Sequence, residues 1–131
     1  MADKATYSIP MHREGSVVDL LQILRLVNGQ LLTWRLTEIE AIVVPGSALD
    51  IVELEREALS SPDGISFSNR ALTALADQLL QVINCDLSGY LLGDNRKQAP
   101  VVLIRALDST EWSVAVDQLS IAVDHTSPLL H

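Results

Sequence analysis

The chain has 131 residues and carries 17 Asp and Glu against 9 Lys and Arg, a formal net charge of −8. Such a surface repels nucleic acid and anionic lipid at long range, and no stretch gathers the basic groups that displace counterions from phosphates. An apolar fraction of 48% is that of an ordered globular chain, the single cysteine excludes an intrachain disulfide, and no apolar run is long enough to span a bilayer.

The first residues, Met1-Ala2-Asp3-Lys4-Ala5-Thr6-Tyr7, have no apolar segment behind a basic start, so the expected location is the cytoplasm. Residues 1–8 read as an edge strand or a mobile tail. From Ser16 to Asn28 (SVVDLLQILRLVN) the pattern is helical, with Ser16 as N-cap, Asp19 in the capping-box position and Gly29 as the left-handed residue past the end. Val18, Ile23 and Leu26 widen its apolar face, which predicts cover on more than one side.

Between Gln30 and Val44 the period changes to two. Leu32, Trp34 and Leu36 share one face, and the apolar phase switches parity before Ile39, which predicts a β-bulge or turn near Thr37-Glu38. A short helix capped by Thr37 is the rival reading; the run Ile42-Val43-Val44 favours strand. After Pro45-Gly46-Ser47 a helix is expected from Ala48 to Leu59, with Ile51, Leu54, Ala58 and Leu59 inward and Asp50, Glu53 and Glu57 outward.

Ser60-Ser61-Pro62-Asp63-Gly64 reads as a turn and Ile65–Ser68 as a short extended piece. A second strong helical stripe, Leu72, Leu75, Ala76, Leu79 and Ile83, predicts a helix from Asn69 or Arg70 to Asn84, capped by Ser68 or Asn69. Asp86–Gly89 would end it, Tyr90–Leu92 is a short strand, and Gly93–Gln98 is a polar loop. Val101–Ala106 reads as a strand buried on both faces, joined through Asp108–Glu111 to a strand bearing Trp112, Val114 and Val116. Leu119, Ile121 and Val123 continue the alternation on odd positions after a bulge or bend near Asp117-Gln118, and residues 125–131 read as a tail.

The expected architecture is therefore a single α+β domain spanning residues 1–131, with two to three helices packed on a mostly antiparallel sheet of about four to five strands. No catalytic constellation, cofactor motif or metal-ligand spacing is written in the chain. Cys85, flanked by Asn84 and Asp86 and placed after a helix, reads as a small hydrophobe rather than a nucleophile. His12, His125 and His131 lie near the termini without ligand spacing, and Asp124-His125-Thr126 reads as solvated. The six glycines match no phosphate cradle.

What remains is regional. Between Thr37 and Gly64 stand seven acids, Glu38, Glu40, Asp50, Glu53, Glu55, Glu57 and Asp63, against Arg56 alone. Glu38, Glu40, Asp50, Glu53 and Glu57 are the candidate partner-binding residues, since an acidic patch favours a basic partner protein. In size, charge and class, though in no motif, the chain resembles small acidic antitoxin and immunity proteins, which implies a non-enzymatic inhibitor or regulatory factor. Two other readings are a structural homo-oligomer, paired through a strand edge or the first helix, and a small-molecule-binding or enzymatic domain with its pocket between helices and sheet.

Overall fold

The computed structural model describes residues 4–27, 32–92 and 99–131. In chain order it has β1 (Lys4–Pro10), β2 (His12–Arg13), β3 (Ser16–Val17), α1 (Leu20–Leu26), β4 (Leu32–Val43), α2 (Ile51–Ser60), β5 (Ile65–Ser68), α3 (Asn69–Ala76), β6 (Leu79–Leu91), β7 (Val102–Leu107), β8 (Glu111–Asp117) and a 3-10 turn at Pro128–Leu130. Six strands form one antiparallel sheet in the order β1-β8-β7-β6-β4-β5, and β2 and β3 pair as a separate small hairpin. The expected α+β architecture is present, with three helices and a larger sheet than the four to five strands the sequence suggests.

Strand alternation divides the sheet into two unlike faces. On one, Ile9, Trp112, Val114, Val116, Ile104, Leu87, Trp34 and Leu36 are buried, and the helices close over them in one continuous core. The other face carries Thr6, Ser8, Arg105, Glu38 and Glu40, all exposed or half-buried, and no helix among the described residues covers it. Both buried indoles have partners, as buried N–H groups require. Trp34 Nε1 donates to Asn69 Oδ1 at 2.9 Å and Trp112 Nε1 to the Val18 carbonyl at 3.0 Å.

Several elements differ from the sequence reading. The first helix is shorter, because Ser16 and Val17 pair with Arg13 and His12, and Val18 N donates to the Met11 carbonyl at 2.7 Å. Asp19, not Ser16, caps it: Gln22 N donates to Asp19 Oδ1 and Asp19 N to Gln22 Oε1, each at 2.9 Å. Gly29 and its neighbours lie outside the described residues, as does the loop expected at Gly93–Gln98. α2 begins at Ile51, where Asp50 accepts from Glu53 N, rather than at Ala48, and Leu59 points outward instead of inward.

The largest difference follows α3. The helix stops at Ala76, and the residues expected to prolong it enter β6, the longest strand. The turn at Asp77-Gln78 is fixed by Val44 N donating to the Gln78 carbonyl at 2.9 Å and Ser47 Oγ to Gln78 Oε1 at 2.7 Å. Tyr90 and Leu91 are the end of this same strand. β7 is buried on one face only, with Arg105 and Leu107 exposed. After Asp117 the chain leaves the sheet: Leu119 is exposed, and beyond it the described residues show one isolated bridge, Val27 with Val123. Residues Pro128–Leu130 turn back toward β1, and Arg13 donates to the carbonyls of Pro128 and His131 at 2.9 and 2.7 Å.

The bulge expected near Thr37-Glu38 is present as a register shift between Leu36 and Glu38 against Leu87 and Asp86. It keeps Ile39 on the buried face and turns Glu38 and Glu40 to the open one.

Candidate functional site

The five acidic candidates do not form one patch. Glu38 and Glu40 stand on the open face of the sheet, whereas α2 packs into the core on the other face through Ile51, Leu54 and Ala58. On the sheet, Glu38 lies opposite Asp86, a like-charge pairing that Arg105 offsets from the next strand at 3.5 Å from Asp86 Oδ2. Glu40 accepts from Asn84 Nδ2 at 2.8 Å.

Asp50, Glu53 and Glu57 do gather along one flank of α2, as their spacing dictates. Their local duties differ. Asp50 Oδ1 accepts from Glu53 N at 3.1 Å and is the N-cap; Glu53 chelates the Arg56 guanidinium; Glu57 has no side-chain partner among the described residues. The hydrogen bond that Arg56 donates to Glu53 raises the guanidinium's pKa, so it stays charged, and the pair is too exposed to add much stability.

The same helix turns two large apolar side chains to solvent. Val52 is 70% exposed and Leu59 72% exposed, seven residues apart and therefore on one side, with Arg56 between them and the acidic flank. The sequence reading missed this pair because it assigned Leu59 to the core. The signal was in the spacing: Ile51, Leu54 and Ala58 already fill one face, and Leu59 falls about 100° from Ala58, beyond its edge.

The residues weighed for other chemistry are dispersed. Cys85 sits inside β6, fully enclosed, and burial first, then the carboxylates of Asp86 and Glu38, push its thiol far above the ordinary range. A thiol so held stays protonated and out of reach. The His125 and Tyr7 rings meet at a steep angle, 61° between planes and 6.4 Å between centroids, and His131 Nε2 lies 2.9 Å from the His125 carbonyl, while His12 is exposed on β2. Asp124 accepts from both the hydroxyl and the N–H of Thr126, which lowers its pKa. Among the described residues no group of three His, Cys, Asp or Glu side chains converges to hold a metal ion.

The groove between α1, α3 and residues 122–124 has a volume of about 430 Å³ and is lined by Leu21, Leu24, Arg25, Asn69, Thr73 and Asp124, among others. Three of its polar side chains already have partners: Asn69 Oδ1 accepts from Trp34, Thr73 Oγ1 donates to the Asn69 carbonyl at 2.8 Å, and Asp124 accepts from Thr126. No family model, curated protein or solved structure matches this chain. Function must therefore be argued from the site itself. No helix among the described residues is long and apolar enough to cross a membrane.

Proposed function

We propose that the chain is a cytoplasmic, non-enzymatic protein that binds a basic partner protein through the outward side of α2, as an inhibitor, immunity-type or regulatory factor. The observation that carries this is the pairing of exposed Val52 and Leu59 with the acidic flank Asp50, Glu53 and Glu57 on one helix. Acidic groups steer a basic partner and fix its orientation, while apolar anchors supply the affinity, roughly 1.5–3 kcal/mol for each side chain fully covered. A helix presenting both has the composition of a docking element; one presenting only solvated charge does not. Glu38 and Glu40 belong to a separate surface and take no part in this contact.

The test uses two variants, Glu53→Lys/Glu57→Lys and Val52→Ser/Leu59→Ser. Asp50 is left intact because removing a cap costs about 1 kcal/mol and would confuse docking with folding. Both variants should keep the circular dichroism spectrum of the native chain. Each should lose the same basic protein that the native chain retains in affinity capture with quantitative mass spectrometry. Equal retention by all three chains would overturn the proposal.

A further inference from the structure

β1 closes one end of the sheet, and its outer side is an unpaired edge among the described residues. Which atoms face outward follows from the register. Ile9, Tyr7 and Ala5 oppose Trp112, Val114 and Val116, and Met11 N, next in the same phase, donates to the Thr110 carbonyl at 3.0 Å. The odd-numbered residues therefore bond to β8, and Lys4, Thr6 and Ser8 turn their N–H and C=O groups away from the sheet. Pro10, which has no N–H to offer, falls in this outward set, where proline is tolerated on an edge.

We propose that this edge pairs with a second copy of the chain, antiparallel, with the two-fold axis at Thr6, so that two six-stranded sheets become one. This assembly is independent of the α2 contact, which lies at the other end of the sheet. The register is chosen by hydrogen bonding, shape and charge together. With Thr6 opposite Thr6 and Lys4 opposite Ser8, the outward groups of both strands satisfy one another in about six hydrogen bonds, and Pro10 lies beyond the paired stretch. On the buried face the same register sets Tyr7 against the small Ala5. Tyr7 already lines a groove of about 420 Å³ along this edge with Thr6, Ser8, His125, Leu129, Leu130 and His131, so a second ring has room beside the two leucines.

Charge points the same way. On the open face Ser8 Oγ donates to Glu111 Oε2 at 2.5 Å, which brings that carboxylate over the Ser8 position. A Lys4 ammonium arriving opposite Ser8 from the second copy meets it, twice by symmetry. β1 itself carries no carboxylate, so no two acids are brought face to face. The acidic helix is held away from the junction, since β4, against which α2 packs, is four strand spacings from β1, roughly 19 Å at 4.8 Å each, beyond the Debye length of about 8 Å. An acidic chain can therefore associate with itself at this edge.

Sedimentation equilibrium of the full chain over a wide concentration range should give twice the 14.3 kDa monomer mass at the upper end. Lys4→Glu should weaken dimerisation roughly tenfold, and Lys4→Glu/Glu111→Lys should restore it. Thr6→Pro, which removes an N–H that has no partner among the described residues, should leave the circular dichroism unchanged and abolish the dimer. Thr6→Cys should form an intermolecular disulfide, because paired Cα atoms here stand about 5.5 Å apart, whereas Ser8→Cys should not, its two copies being about 14 Å apart. A chain that stays monomeric throughout would overturn the proposal. So would a dimer indifferent to Thr6→Pro and Lys4→Glu, or one that cross-links through Ser8→Cys and not through Thr6→Cys.

Discussion

Trp34 Nε1 donates to Asn69 Oδ1 at 2.9 Å, so the largest residue of β4 is tied to the first residue of α3. The indole is fully buried and has no other acceptor among the described residues. The bond sets where the helix starts over the sheet, one position after its Ser68 cap, whose Oγ accepts from Ala71 N at 3.1 Å.

Asn69→Leu should therefore cost about 1–3 kcal/mol, the penalty for leaving the buried indole N–H without its acceptor. Asn69→Asp keeps an acceptor and places a negative charge at a helix N-terminus, so its loss should be much smaller. Urea unfolding followed by tryptophan fluorescence distinguishes the two; equal losses would show that the bond contributes nothing specific.

Gly64 sits at φ +72° where the chain arrives from α2 to begin β5, and a Cβ there would lie 2.4 Å from the Leu36 carbonyl oxygen. Both the conformation and the space are closed to a side chain, and the neighbour is backbone that cannot step aside. Gly64→Ala should destabilise by about 3 kcal/mol or more. Gly46, at φ +87° with nothing near its absent Cβ, is the control: Gly46→Ala pays the conformational cost alone, about 1 kcal/mol. The difference between the two thermal midpoints measures the contact with Leu36.

How far the sequence could be read is itself explained by bulges. In β4, where a single extra residue at Thr37 shifts the register, the parity switch before Ile39 was legible and the strand was read through it. In β6 two register shifts fall close together, at Leu80 and Ile83, and the inward residues become Leu79, Val82 and Cys85 before ordinary alternation resumes at Leu87. Inward spacings of three imitate a helical stripe, and they follow a true one in α3, so the pattern ran on without a visible break. The stop at Ala76 is set by contacts with Val44 and Ser47, some thirty residues away, which periodicity does not register. The same holds for the candidate site. The acidic flank of α2 and the outward place of Leu59 are written in the helical spacing, but the separation of Glu38 and Glu40 onto the far face depends on how helix and sheet pack.

Cys85 offers a reporter of opening. Its thiol is enclosed and held protonated, so thiol reagents should label it at the rate of unfolding and not at that of an exposed cysteine. The pH dependence has a definite sign. The folded pKa is raised, so this group's contribution is fully present below the unfolded value of about 8.5 and is lost as pH rises above it, by at most about 1.4 kcal/mol per unit. The urea midpoint of the native chain should fall faster between pH 8 and pH 10, roughly the window above that value, than that of Cys85→Ala, which has no thiol to ionise. Parallel curves would mean that the unfolded thiol gains nothing by ionising.

The hairpin joining β7 to β8 places Asp108 at φ 48° and Ser109 at φ 60°, both in the left-handed region that suits the strand twist but strains a side-chain-bearing residue. The strain is held by anchoring: Asp108 N donates to Asn84 Oδ1 at 3.0 Å and Ser109 N to the Ile83 carbonyl at 2.9 Å, next to one of the β6 register shifts. Those bonds use backbone N–H groups, which glycine also has. Ser109→Gly should therefore relieve the conformational strain without loss of a contact and stabilise the chain by up to about 1 kcal/mol. Asn84→Ala should act oppositely by about 1 kcal/mol, because it frees both Asp108 N and Glu40 from their shared amide. If the two effects arise from the same turn, the double variant should depart from their sum, whereas strict additivity in thermal unfolding would show that the anchor and the strain are unconnected.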